Sequence, residues 1–332
     1  MKNILEEKIY GCLAGGLIGD AMGAPVENWH YSKIADTYGI LEDFEGAGTD
    51  DSAIKLILCD ALISNNGHIT ADELAAFFLK YEKDYYDLFY IPVKNMFHKI
   101  QDGLSLPVYA GMGNMQSSSS AMSISPMGIV NACNPRRAAL ETYDIAGLIH
   151  AGETTFCRDA ACAMAAAVAE AMKINCTVDS ILDASTAYLH KKSSHVMIEC
   201  ISESIEMAKK VKNYEQYRQW IYENKAKNVM CDSRETVPVA LSLFYLADGD
   251  PCNSIIYGAN FGRDADTIAT MAGALAGAFK GVGALRPAWI EKLEKNNDQQ
   301  SLIESLSRVT MNKIEEQREM ILAFDGLLTE VL

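Results

Sequence analysis

Apolar residues recur at helical spacing along most of the chain. In the segment 52–63, SAIKLILCDALI, the residues Ala53, Ile54, Ile57, Leu58, Ala61 and Leu62 fall on one face, which predicts an amphipathic helix. The run 70–82 opens with Thr70 and carries Glu73 three positions on, the pattern of a capping box before an apolar stretch. Residues 158–174 are rich in alanine, which suits a tightly packed central helix. The stretches 178–189, 194–211, 213–224 and 300–331 carry the same period. Residues 267–279, TIATMAGALAGAF, are almost all small or apolar, so that helix should be buried on every side.

Strand signals are weak. No alternating run of useful length occurs, and Asn66-Gly67 lies between two helical patterns as a helix–helix turn. The expectation is an all-α protein of many helices. No linker, low-complexity tract or fixed-period repeat divides it, so residues 1–332 read as a single domain. The one biased stretch is Ser117–Ser120, inside the Gly/Ser-rich segment 110–125 between Pro107 and Pro126. A segment of that length and composition is a functional loop or a flexible surface loop.

Composition narrows the partners. The 332 residues carry a formal net charge of −15, with 49% hydrophobic and 22% charged residues. Adjacent basic residues occur only as short pairs such as Arg136-Arg137, Lys191-Lys192 and Lys209-Lys210. Neither duplex nucleic acid nor an anionic membrane fits that balance. Nine cysteines, an odd number without CxxC spacing, include Cys12, Cys59, Cys162 and Cys200 among apolar or small residues, as reduced buried thiols do. Glu6, Glu7 and Lys8 interrupt any signal-peptide core, and the longest apolar stretch, 160–169, is too short to span a bilayer. A soluble, cytoplasmic protein is expected.

Three segments combine glycine with acidic residues. In 11–27, GCLAGGLIGDAMGAPVE, Gly11, Gly15, Gly16, Gly19 and Gly23 recur at near-helical spacing. Each costs a helix on the order of 1 kcal/mol relative to alanine, so close approach of another helix or a ligand must compensate. The segment 48–52, Gly-Thr-Asp-Asp-Ser, precedes a predicted helix, and 262–267, Gly-Arg-Asp-Ala-Asp-Thr, precedes another. Helix capping explains one acidic residue at such a place. Two repel each other unless a cation lies between them. Each segment brings two Asp and a Thr, an oxygen-only donor set that suits Mg²⁺ or Mn²⁺ rather than zinc. Facing each other, the two could hold a pair of ions of the kind used in hydrolysis. Capping and metal binding both remain open on the residues alone.

These segments resemble the ADP-ribosylglycohydrolase family, which includes dinitrogenase-reductase-activating glycohydrolase. The resemblance rests on GGLIGDAMGAPVE at 15–27, GTDDS at 48–52, SAMSISPMG at 120–128, LIH at 148–150, ETVPVAL at 235–241 and NFGRDADTIATMAGALAGAF at 260–279. It covers most of the chain and thins between 175 and 230 and after 295. It implies an all-α orthogonal multi-helix bundle with a binuclear magnesium site, Mn²⁺ being an alternative. The implied ligands are Thr49, Asp50 and Asp51 from one side and Asp264, Asp266 and Thr267 from the other. It places Glu27 in a mobile flap near the metals and His150 near the ligand. The implied reaction cleaves the bond between the anomeric ribose carbon and a side chain or other group, with an ADP-ribosylated protein or a ribosylated small molecule as substrate. Glu27 and Asp266 are the candidate bases.

The sequence also departs from the family. Members that bind ADP-ribose commonly carry Gly-Asn-Gly before the Ala-Met pair; here Ser117, Ser118, Ser119 and Ser120 precede Ala121-Met122, and Ser123 stands where an arginine is common. Gly113-Asn114, slightly upstream, is the nearest substitute. Serines donate hydrogen bonds but carry side-chain bulk where a diphosphate would approach the backbone. A nucleosidase-like hydrolase of a simpler riboside is therefore an alternative. A non-catalytic ADP-ribose-binding relative is another, which the six filled ligand positions oppose. Cys157, seven residues after His150, shows no orienting partner for a nucleophile and reads as a packed residue.

Overall fold

The computed structural model describes residues 3–295 and 299–331. Among these residues there are seventeen α-helices and no strand, only an isolated bridge between Met112 and Ala151. The all-α expectation holds. The helical patterns fall on the helices Asp50–Ser64, Ala71–Lys80, Thr155–Ala171, Val178–Ala187, His195–Val211, Tyr214–Asn224, Ala265–Lys280 and Gln299–Val331. Thr70 and Glu73 form the capping box in both directions, and Asn66 and Gly67 turn the chain with φ of 51° and 81°.

The centre is a pair of helices in backbone contact. Ile4–Gly23 lies along Ala265–Lys280, and the glycine series on the first is the seam. A Cβ on Gly15 would stand 2.2 Å from the Gly273 carbonyl oxygen. On Gly11 it would be 2.3 Å from that of Gly277, and on Gly19 2.3 Å from that of Ala269. No side chain fits there, so the helix-propensity cost of these glycines is offset by packing of main chain on main chain. By length and composition Ile4–Val26 could cross a membrane, yet 89% of its apolar window is buried inside the protein. It is the core helix of this fold.

The alanine-rich helix Thr155–Ala171 is the second buried axis. It is packed by Pro135–Ala146, Val178–Ala187 and Ser125–Val130. Lys8, buried, donates its ammonium protons to the carbonyls of Ala171, Ala278 and Phe279. It thus caps the C-terminal ends of both buried helices at once. All nine cysteines are free. The packing of the two glycine helices has a direct consequence for chemistry. A Cβ on Gly23 would lie 2.3 Å from the Asp266 Cα, so the seam delivers the end of one helix onto the start of the other.

Candidate metal centre and active site

Three chain segments meet at that junction. The first helix ends at Gly23, turns through Ala24–Val26 and releases Glu27, which is exposed. Thr49 caps Asp50–Ser64, its hydroxyl accepting from the Asp51 amide at 3.3 Å. Asp264 precedes Ala265–Lys280 but makes no capping bond with its side chain. Its Oδ2 instead accepts from the Ser118 hydroxyl at 3.0 Å. Capping therefore accounts for Thr49 and leaves the aspartates unexplained.

These aspartates form the floor of a cleft of about 680 Å³. Glu27, Asp264 and Asp266 bring carboxylate oxygens within 4.8 Å of one another. The Thr49 hydroxyl lies 3.4 Å from both Asp51 Oδ2 and Asp266 Oδ2, and the Thr267 hydroxyl 3.3 Å from Asp51 Oδ2. The two segments singled out in the sequence are thus face to face. Asp50 turns slightly aside, and its Oδ2 accepts from the Tyr90 amide at 3.1 Å.

The electrostatics are adverse without a cation. Burial raises all four Asp carboxyls, and neighbouring carboxylates add to it: Asp50 rises to about 6, Asp264 to about 7, and Asp51 and Asp266 go well above their ordinary range. Asp51 Oδ1 and Asp266 Oδ1 are buried with no hydrogen-bond partner. Unpartnered buried oxygens are costly and rare. No Lys, Arg or His is among the described residues lining the cleft. A crowd of buried oxygen donors that includes two unpartnered oxygens fits hard divalent cations such as Mg²⁺ or Mn²⁺.

Apart from Asp87, the cleft's other walls are uncharged. Phe89, Tyr90, Met115, Met122, Met230 and Cys231 line it, together with Ser118, Ser119 and Asn228. Of the substrate contacts expected from sequence, only Glu27, Ser118 and Ser119 border the cleft. Ser117, Ser120 and His150 lie behind the wall. The His150 ring is fully buried between the Ser117 hydroxyl at 3.0 Å and the Ser120 hydroxyl at 2.5 Å. Burial pushes its pKa down to about 3, so it is a neutral strut for the serine turn. Asn114 is buried too and donates to the carbonyls of Pro92 and Ile149, while Gly113 is exposed at φ 78° and does not line the cleft. Ser117, Ser120 and His150 thus bond to one another, and the Asn114 side-chain N–H groups bond to main chain, rather than facing the cleft.

Two groups of site residues were not anticipated. Asp20, fully buried, accepts from the Thr49 amide and hydroxyl and from the Ser52 amide. Its signal was a lone acid inside an otherwise apolar glycine helix. Arg263, at φ 61°, ties three walls together. Its amide donates to the Trp29 carbonyl at 2.8 Å, and its carbonyl accepts from the Asn28 amide at 2.6 Å. Its guanidinium pairs with buried Glu235 and donates to the Lys227 carbonyl at 2.6 Å. No local sequence pattern announces that pairing across 28 positions.

Comparisons with known proteins bear on the family and the fold. The family model described as ADP-ribosylglycohydrolase matches residues 1–319. YegU of Escherichia coli (strain K12) is 29% identical, over 88% of this chain and 93% of its own. ADP-ribosylhydrolase ARH3 of Gallus gallus is 24% identical, covering 89% and 91%. ADP-ribosyl-[dinitrogen reductase] glycohydrolase of Rhodospirillum rubrum is 25% identical, covering 87% and 91%. A solved structure titled ADP-ribosylglycohydrolase-related protein complex superposes with a TM-score of 0.70 at 20% identity, over 92% of this chain and 99% of that one. At that identity it speaks for the fold.

Proposed function

This chain belongs to the ADP-ribosylglycohydrolase family, and from that premise we propose that it is a metal-dependent hydrolase that removes ADP-ribose from a modified protein side chain or small molecule. It is a glycosyl hydrolase by family; relatives bear the names ADP-ribosylhydrolase and ADP-ribosyl-[dinitrogen reductase] glycohydrolase. The observation that carries the metal dependence is the pair of unpartnered buried oxygens on Asp51 and Asp266. Thr49, Asp50, Asp51, Asp264, Asp266 and Thr267 would hold two divalent cations. Such ions supply Lewis acidity, which orients ribose hydroxyls and acidifies water.

The chain's own residues perform the rest. Breaking a ribosyl bond builds positive charge on the sugar ring. A ring lying over the cleft floor is flanked by carboxylates, which stabilise that charge. Glu27 is exposed at the rim, within reach of Asp264 and Asp266. It serves to orient and deprotonate the attacking water or a ribose hydroxyl, with Asp266 as the second candidate base. Phe89, Tyr90, Met115 and Met122 offer an apolar wall for the remainder of the substrate. Release of free ADP-ribose from ADP-ribosylated arginine or serine, with Mg²⁺ or Mn²⁺ and with EDTA, tests this reading. Metal-dependent release supports it, and equal rates in EDTA contradict it.

A second reading has a specific observation in its favour. In the serine turn the amides of Ala121 and Met122 donate to the Ser118 carbonyl, and that of Ser119 to the Ser117 hydroxyl. Those donors are spent inside the turn rather than presented to a diphosphate. A simpler riboside would not need them. Assaying a nucleoside beside the ADP-ribosyl substrates separates the two.

A further inference from the structure

The helix Gln299–Val331 begins in the core, where Ile303, Leu306 and Val309 are buried. It then runs off the body. Met320, Ile321, Phe324, Leu327 and Leu328 are each more than half exposed, and at 100° per residue they fall on one face. A free helical stretch of about a dozen residues is marginal in water, and Gly326 weakens this one further. Such a face requires a cover.

We propose that the cover is the same segment of a second copy of this chain, packed antiparallel about a two-fold axis. The charges select this occupant. From position 314 to the end the one basic residue is Arg318, and Asp325 stands seven positions on, along the same edge of the apolar face. In an antiparallel pair centred between Ile321 and Phe324, residues on that edge meet their opposites. Arg318 of each copy then faces Asp325 of the other, twice by symmetry. The same register places Phe324 against Ile321 and Leu328 against Gln317. At Gln317 the body already offers a groove of about 430 Å³, lined by Ala132, Cys133, Ile314 and Ile321. Leu328 of the second copy fills it. A membrane surface is a poorer occupant, because Glu315, Glu316 and Glu319 lie on the same helix and would repel anionic lipid.

The test is the mass of the intact protein in solution, by light scattering behind size exclusion, over a hundred-fold concentration range. The 36.4 kDa chain is expected to run at twice that mass. Phe324→Glu should return it to the monomer with helicity and thermal midpoint of the body unchanged. Arg318→Asp should weaken the dimer at least ten-fold, and the double reversal Arg318→Asp with Asp325→Arg should restore it. A monomer at every concentration overturns the proposal, as does a dimer that survives Phe324→Glu. Failure of the double reversal overturns the antiparallel register.

Discussion

The Asp20 carboxylate accepts the Thr49 amide at 2.9 Å and the Thr49 hydroxyl also at 2.9 Å. A carboxylate from the first helix thereby caps the helix Asp50–Ser64 from outside it, through the Ser52 amide as well. Charge-assisted bonds at a helix N-terminus are the stronger kind. They also fix the segment that presents Asp50 and Asp51 to the cleft. Asp20→Ala is expected to cost on the order of 2–3 kcal/mol, from the loss of buried bonds to a charged group. Denaturant unfolding checks this, and a loss below about 0.5 kcal/mol contradicts it.

The glycine seam makes a second prediction. Gly15→Ala and Gly273→Ala each push a methyl group into main chain that cannot retreat. Each should destabilise by about 1–3 kcal/mol, as overpacking does, despite alanine's better helix propensity. Because the seam seats Glu27 over Asp266, activity should fall as well. A thermal midpoint raised by either change would mean that the two helices are not packed this closely.

The raised carboxyls set the pH dependence of the metal-free protein. Their folded pKa values lie above the ordinary 3.8, with Asp50 near 6 and Asp264 near 7. The stability they contribute is present at low pH and lost as pH rises through those values. In EDTA the thermal midpoint should therefore climb as pH falls from 8 toward 5. Asp50→Asn should raise it at pH 8 by removing a charge from the crowd, at the expense of metal binding. With Mg²⁺ or Mn²⁺ present the trend should flatten or reverse, because the cation competes with protons. A metal-free midpoint that falls steadily over the same interval contradicts the assignment.

Glu27 separates chemistry from binding. Its place at the exposed rim predicts that Glu27→Gln lowers kcat by roughly 10²–10⁴, the range for loss of a general base, while metal affinity stays within a few-fold. Asp266→Asn should abolish both. Steady-state kinetics with a parallel metal titration distinguishes the two variants, and unchanged turnover in Glu27→Gln removes it from the mechanism.

Much of this was legible in the chain. The apolar periods gave helices such as Asp50–Ser64, and the glycine series gave the close helix approach. Oxygen-only clusters at 48–52 and 262–267 pointed to facing donors, and the fold brings them within contact. Helices opening on proline were harder to read: Ile91–Gln101, Pro135–Ala146, Pro251–Ala259 and Pro287–Glu294 carry it in their first two positions. Proline ends a helix in its interior but is well tolerated at its start. The inner side of the serine turn was hidden for another reason. The resemblance puts His150 and Ser117–Ser120 near the ligand, and nothing in the chain announces that the hydroxyls of Ser117 and Ser120 turn inward to the imidazole. Long-range pairings such as Arg263 with Glu235 exist only once the chain has folded.

The most direct test is the thermal midpoint of wild type and Asp266→Asn at pH 8 in EDTA, Mg²⁺ and Mn²⁺, with and without ADP-ribose. A ligand that binds only the folded state raises the midpoint by mass action. The account predicts that metal raises the wild-type midpoint, that ADP-ribose raises it further only when metal is present, and that Asp266→Asn responds to neither. Identical wild-type midpoints in EDTA and in saturating Mn²⁺ would contradict it.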